Sequence, residues 1–79
     1  MPTVMNVGPY RFYSFSDEGN EPAHIHVRSG NGVAKFWLNP VQLAANRGFR
    51  GHELNEIRRL VEQHRQAFED AWNDYFGHP

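Results

Sequence analysis

Two histidines stand two residues apart in the segment Glu21–Val27, and of all the side chains in this sequence they are the best suited to chemistry. On an extended strand, His24 and His26 would point to the same side, with Cα atoms roughly 6.5–7 Å apart. Imidazole donates or accepts a proton near neutral pH, so the pair could act as acid and base on a phosphate. The pair could also bind a metal with Glu21 as third ligand, or with Glu18, His52 or His64 in its place, but no spacing motif selects among them. We therefore predict neither a metal site nor a cofactor.

Basic and aromatic side chains share the face of the two histidines. Arg28 follows on the same strand, and an antiparallel hairpin places Lys35 and Trp37 of the next strand beside it. The cations could hold phosphate oxygens and stabilise developing negative charge, and the indole could stack a base. This pattern predicts a small RNA-binding or RNA-cleaving surface. The alternative is a solvated sheet face on which Trp37 covers the sheet or meets a partner chain.

Two further arginines lie in the segment Asn46–Arg50, which we interpret as a turn between helices. Arg47 and Arg50 could contact a phosphate or a carboxylate there. The alternative is helix capping, in which positive charge stabilises the C-terminal end of a helix.

The first half of the chain predicts two β-hairpins, each marked by a glycine-containing turn. The predicted strands are Thr3–Val7, Tyr10–Phe15, His24–Ser29 and Val33–Leu38. Gly8-Pro9 joins the first pair, and Gly30-Asn31-Gly32 joins the second. The face of the second hairpin opposite the histidines is the predicted core, formed by Ile25, Val27, Ala34, Phe36 and Leu38.

The second half predicts helices. Asn39-Pro40 is a suitable helix start, so Val41–Asn46 is predicted as a short helix that ends near Gly48. From about His52 to Phe76, apolar residues recur at three- and four-residue steps, which indicates one long amphipathic helix. The predicted stripe is Leu54, Ile57, Val61, His64, Phe68, Ala71 and Tyr75. The fold class is therefore α+β: a single domain, residues 1–79, with an antiparallel sheet of about four strands and the long helix packed on one face.

Aromatic residues are numerous for a chain of 79 residues. Eleven phenylalanine, tyrosine and tryptophan side chains are too many for one thin core, so we expect some of them in a contact surface. Trp72, Tyr75 and Phe76 are the predicted interface residues. The contact could be made with a partner protein or, in a homo-oligomer, with a second copy.

Composition limits the cellular compartments and the types of site that we expect for this chain. It contains no cysteine, which excludes disulfides and thiolate metal sites and favours the cytoplasm. The first residues lack the charged and apolar regions of a signal peptide, and no window approaches the ~20 apolar residues of a membrane span. A net charge of −1 argues against a globally basic nucleic-acid binder, although a local basic face is compatible with it.

Several segments together resemble the domain-of-unknown-function family numbered 4160. They are Pro2-Thr3-Val4, Gly8-x-Tyr10-Arg11-Phe12, Glu21-Pro22-Ala23-His24-Ile25-His26-Val27, Ala34-Lys35-Phe36-Trp37-Leu38, Asn46-Arg47-Gly48-Phe49 and His52-Glu53-Leu54. The resemblance covers nearly the whole chain. The family's histidine pair corresponds to His24 and His26, and its turn corresponds to Asn46, Arg47 and Gly48.

The resemblance implies a function by gene context. Members are small bacterial proteins, frequently encoded beside another small protein in loci that resemble toxin–antitoxin pairs, and this family is taken as the toxin-like partner. It implies a toxin component that acts on RNA or translation and is neutralised by a small cognate protein. Whether the chain is an enzyme stays open, with metal-independent ribonuclease-like activity as one form. The alternative is a non-catalytic module that binds protein or nucleic acid.

One position departs from the family pattern as we expect it. A serine before the long helix, followed by Glu53, would form a capping box. Arg50 stands there instead, and its side chain has no acceptor for a helix amide. The start of the helix is therefore less certain than the fold.

Overall fold

Five strands precede two helices along the chain. The computed structural model describes residues 3–15 and 19–77. The elements are β1 Thr3–Val7, β2 Tyr10–Tyr13, β3 His24–Ser29, β4 Gly32–Leu38, β5 Val41–Arg47, α1 Gly51–Gln63 and α2 Arg65–Phe76. The strands form one antiparallel sheet in the order β1-β2-β3-β4-β5. The predicted α+β class is confirmed, with five strands in place of about four.

Glycines make the first two tight turns possible. Val7 pairs with Tyr10 across the Gly8-Pro9 turn, and Ser29 pairs with Gly32 across Gly30-Asn31. Gly8 and Gly30 have φ angles of 55° and 57°. A positive φ at the first central residue is typical of two-residue hairpin turns whose twist matches that of the strands.

The predicted short helix over Val41–Asn46 is wrong, because this segment is strand β5. Asn39-Pro40 forms the two-residue turn between β4 and β5, with Leu38 paired to Val41. The peptide bond of this turn is cis. Pairing with β4 satisfies the backbone of the segment, and this tertiary interaction outweighs the helix-start signal of Asn-Pro.

The predicted single long helix is two helices. His64 separates them with φ −105° and ψ 14°, so α1 ends at Gln63 and α2 begins at Arg65. His64 is half-buried and its ring lies 6.1 Å from that of Phe68, which agrees with a boundary position. Within the described residues, neither helix is long and apolar enough to cross a membrane.

Both helices pack on one face of the sheet. Helix α1 lies against β4 and β5, and α2 lies against β3 and β4. The core between them contains the predicted sheet residues Ile25, Val27, Ala34, Phe36 and Leu38, all at most 2% exposed. It also contains Tyr10, Phe12, Val41, Phe49, Ile57, Val61 and Phe68. We call this cluster the helix-side core. The predicted site lies on the opposite face of the sheet, where side chains alternate with those of this core.

Helix α1 begins at Gly51, with Arg50 as its N-terminal cap residue. The backbone N–H of Arg50 donates to Oε1 of Glu53 at 2.8 Å. This is the carboxylate half of a capping box, and it forms without a serine because it requires only the backbone of the cap residue.

Candidate functional site

The face of the sheet opposite the helices carries two adjacent rows of basic and aromatic side chains, and we call it the open face. In the first row, Arg11 pairs with Arg28, Arg28 with Val33, and Val33 with Arg47. In the second row, Tyr13 pairs with His26, His26 with Lys35, and Lys35 with Ala45. The sequence predicted Arg28, His26 and Lys35 on one face, and strand pairing brings Arg11 and Arg47 beside them.

Three of the predicted site residues converge on a shallow depression in the open face. His26, Lys35 and Arg47 line it together with Val33, Ala34, Ala45 and Asn46, and its volume is about 310 Å³. Val33 and Ala45 contribute apolar side chains to it, and His26, Lys35 and Arg47 contribute side chains that can be positively charged. Arg28 flanks this depression as the cross-strand neighbour of Val33.

His26 is held in place by aromatic rings. Tyr13 stacks on it, with ring centroids 5.4 Å apart and planes 17° apart, and Phe15 contacts it edge-on at 4.8 Å. The residue is 9% exposed. His26 therefore lies at the depression with most of its surface covered.

His24 is buried, in contrast to the solvent-facing position that the strand pattern predicted. It is 1% exposed, with Trp72 of α2 at a ring distance of 4.8 Å and Trp37 edge-on at 5.6 Å. Nδ1 of His24 lies 2.8 Å from the carbonyl oxygen of Pro22. A carbonyl only accepts, so Nδ1 carries the proton and donates. The strand pattern could not reveal this burial, because Trp72 reaches the histidine from a helix far along the chain.

The two imidazoles contact each other but differ in access. Their ring centroids are 5.2 Å apart and their planes nearly perpendicular, at 86°. The His24 side chain has no exposed surface, so a phosphate on the open face would meet His26 and not His24. Within residues 3–15 and 19–77, no three histidine or acidic side chains are grouped as metal ligands.

Glu21 contacts Lys35 instead. Nζ of Lys35 donates to Oε1 of Glu21 at 2.6 Å, and the same carboxylate oxygen lies 3.7 Å from Nδ1 of His24. The Lys35 ammonium also lies 4.6 Å from the ring centroid of Trp37. Sequence reasoning considered Glu21 only as a metal ligand, and the hairpin pattern gave no indication that the preceding loop returns to Lys35.

Four cations lie on the strands of the open face. They are Arg11, Arg28, Lys35 and Arg47, and residues 1–48 also contain three acids, Asp17, Glu18 and Glu21. The helical residues 51–76 carry six acids and three arginines. Arg28 and Arg47 have no carboxylate within salt-bridge distance in the described part of the chain. The open face is therefore locally positive although the whole chain is nearly neutral.

The Asn46–Phe49 segment is a braced turn from β5 to α1, not a turn between helices. Asn46 Nδ2 donates to the carbonyl of Phe49 at 3.1 Å, and the Phe49 N–H donates to Asn46 Oδ1 at 3.2 Å. Gly48 has φ 92°, and a Cβ there would lie 3.0 Å from the carbonyl oxygen of Asn31. Asn, Gly and Phe thus shape this turn, and Arg47 faces the depression. Arg50 is exposed at the start of α1 and does not line the depression.

The family described as "Domain of unknown function (DUF4160)" matches residues 10–73. The chain belongs to this family. No curated protein and no solved structure matches the chain. The DUF4160 match extends from the first residue of β2 to within α2, so it includes both histidines, Lys35 and the Asn46–Phe49 turn.

The predicted interface residues of this DUF4160 chain differ in exposure. Trp72 is 6% exposed, so its prediction as a surface residue is wrong, because it packs on His24. Phe76 is half-buried against Trp72 at 4.3 Å and against Gly19. Tyr75 is 51% exposed and remains available for contact.

Proposed function

We propose that this protein binds RNA through the phosphates, on its open face, as the toxin-like component of a two-protein bacterial module in the cytoplasm. The observation that carries the proposal is the depression that His26, Lys35 and Arg47 line together. The family resemblance supplies the setting: a locus with a small partner protein that neutralises the activity.

The arrangement of positive charge supports an anionic ligand. Arg11 and Arg28 occupy directly opposite positions on neighbouring strands, and like charges placed so destabilise a sheet. A phosphate between these rows would relieve that repulsion, and guanidinium and ammonium groups are the usual partners of phosphate oxygens. Because the cations extend across β2, β3, β4 and β5, a chain of phosphates fits the surface better than a single anion.

The burial of His24 favours RNA binding over RNA cleavage by the two histidines. Transfer of protons to and from a phosphate requires both the acid and the base within hydrogen-bond reach of it. Only His26 borders the depression, and the buried His24 donates to Pro22. His24 thus contributes to packing and not to ligand contact, and growth inhibition would result from binding of RNA and not from its cleavage.

The charge contribution is tested by salt-dependent binding of single-stranded RNA. A triple substitution, Arg28→Ala, Lys35→Ala and Arg47→Ala, should abolish most binding and reduce the slope of log affinity against log salt by about 0.7 per lost phosphate contact. The matched control is Arg59→Ala, an exposed arginine on α1, which should leave affinity and slope unchanged. Equal loss in both variants would show that the open face is not the binding surface.

The biological role is tested by induction of the gene alone and together with its genomic neighbour. We expect growth arrest with intact total RNA, relief of arrest by the neighbour, and no arrest with the triple variant. Loss of RNA that depends on His26 would assign a nuclease in place of a binding protein. Normal growth in every case would contradict the toxin-like role. It would not contradict RNA binding by the open face, which the salt-dependent binding experiment tests separately.

A further inference from the structure

Two partly exposed aromatic rings contact residues that line the depression. Lys35 lines the depression, and its ammonium lies 4.6 Å from the ring centroid of Trp37, which is half-buried. His26 also lines it, and its ring lies 4.8 Å from that of Phe15, which is 38% exposed. A ligand in the depression therefore has an indole and a phenyl ring beside the groups that would hold its charge.

Both rings are supported by buried rings beneath them. Phe15 meets Tyr13 edge-on at 5.5 Å, and Trp37 meets His24 edge-on at 5.6 Å. Tyr13 is 4% exposed and His24 is 1% exposed, so these supports are fixed by packing. Rings that are already held in one orientation lose little conformational freedom when a ligand stacks on them.

The polar chemistry of the open face does not by itself require exposed rings. Phosphate binding needs only the cations, and an exposed phenylalanine next to them contributes nothing to holding an anion. Aromatic rings within a positive groove are instead the arrangement that binds unpaired nucleotides, because every base has a π face that can stack. In a duplex the bases stack on each other, so a protein ring cannot reach a base face.

We infer that the ligand of the open face is an unpaired stretch of nucleic acid, with bases stacked on Trp37 and Phe15 and phosphates against Lys35, Arg28 and Arg47. The inference rests on the proposed function and specifies its substrate class. The two rings discriminate between unpaired and paired strands. The phosphate contacts do not, because both kinds of strand can make them.

The test compares a labelled single-stranded RNA of about 12 nucleotides with a duplex of the same length. Fluorescence anisotropy at fixed low salt should give an affinity at least about tenfold tighter for the unpaired strand. Trp37→Leu and Phe15→Leu should each weaken binding of the unpaired strand about tenfold and leave the duplex affinity unchanged. Tyr75→Leu is the matched control: it removes a ring that is 51% exposed and that packs on Phe76, away from the residues that line the depression, and it should change neither affinity.

Tryptophan emission gives a second, direct readout. In a Trp72→Phe background Trp37 is the sole tryptophan, since the chain has two. Its emission should be quenched by the unpaired strand but not by the duplex or by inorganic polyphosphate. Equal quenching by an unpaired DNA strand of the same sequence would show that the open face binds unpaired DNA as well as unpaired RNA. Weaker quenching by the DNA strand would show a preference for RNA.

The outcomes separate the two proposals. If neither RNA binds, the proposed function itself is wrong. If both RNAs bind equally, without quenching and without an effect of Trp37→Leu, phosphate binding stands and the stacking inference is overturned.

Discussion

The molecule has two aromatic clusters, and they differ in composition. The helix-side core contains Tyr10, Phe12, Phe36, Phe49 and Phe68. The second cluster connects Tyr13, Phe15, His24, His26, Trp37, Trp72, Tyr75 and Phe76 through successive ring contacts. We call it the histidine cluster. Together the two account for all eleven phenylalanine, tyrosine and tryptophan residues.

The two clusters also differ in polarity and in exposure. The helix-side core is almost entirely apolar and almost entirely buried, which is what stability requires. The histidine cluster contains rings with polar atoms, and its members range from the buried His24 to the exposed Tyr75. A cluster of this kind can hold its inner rings rigid and present its outer rings to a ligand.

The largest effect is expected in the helix-side core. Phe12 has no exposed surface and lies 5.0 Å from Phe68. Phe12→Ala should cost about 3–5 kcal/mol in the free energy of unfolding. Since a chain of this size has roughly 4–12 kcal/mol in total, urea denaturation should show a folded state that is marginal or absent. Phe15→Ala, at a ring that is 38% exposed, is the control and should cost much less.

A smaller loss is expected for His24→Ala, since its ring is buried but belongs to the histidine cluster. The substitution removes a hydrogen bond to Pro22 and ring contacts with Trp37 and Trp72, so we expect a loss of about 1–3 kcal/mol in urea denaturation. Polyphosphate affinity measured under folded conditions should be retained, because His24 does not reach the depression. Loss of polyphosphate binding by the folded variant would mean that His24 contacts the ligand.

The helix-side core was predictable because it depends on a local rule. Side chains alternate along a strand, so Ile25, Val27 and Phe36 share a face whichever residues form the turn. Their burial follows from alternation and hydrophobicity alone.

The burial of the histidine cluster was not predictable, because it depends on which elements meet. Tyr13 is placed beside His26 by strand pairing, and Trp72 is placed on His24 by the packing of α2. The break at His64 also changes which side chains of α2 are buried. Phe68 and Trp72 face inward, and Tyr75 of the predicted stripe is exposed.

The prediction of a helix over Val41–Asn46 failed for a local reason. Asn39-Pro40 fits a helix start and a hairpin turn equally well, and the segment after it lacks a clean alternation of apolar and polar residues. The register shifts between the Lys35–Ala45 and Phe36–Leu43 pairs, so Ala44 is an extra residue in β5. This bulge interrupts the period-two pattern by which a strand is recognised. Arg47 therefore lies at the candidate site because β5 pairs with β4, and the sequence pattern did not predict this pairing.

A moderate effect on ligand affinity is expected for Glu21→Gln, at the edge of the histidine cluster. The Glu21 carboxylate engages the Lys35 ammonium at 2.6 Å and so competes with a phosphate for it. The neutral amide should raise the affinity for inorganic polyphosphate several-fold in a competition titration. The stability change should stay within about 1 kcal/mol, because the carboxylate is 39% exposed. Weaker polyphosphate binding would indicate that Glu21 orients Lys35 toward the ligand and does not compete with it.

The smallest effect concerns Tyr10, the one residue of the helix-side core with an ionisable side chain. Burial raises the pKa of Tyr10, and the carboxylates of Glu56 and Glu53 raise this pKa further. An unfolded tyrosine titrates near pH 10, so above that pH the unfolded chain releases a proton that the folded chain retains. Stability from this group is therefore complete below about pH 10 and is lost as the pH rises toward the folded pKa.

Tyr10→Phe should flatten the decline of stability above about pH 10, measured by urea denaturation at a series of pH values. At neutral pH it should cost at most about 1 kcal/mol, since only the hydroxyl group is removed. Tyr75→Phe, at the exposed end of the histidine cluster, should leave the pH profile unchanged because its ring is 51% exposed. If Tyr75→Phe flattened the profile as much as Tyr10→Phe, the loss of stability above about pH 10 would not arise in the helix-side core. The two clusters would then not differ in how their tyrosines affect stability at high pH.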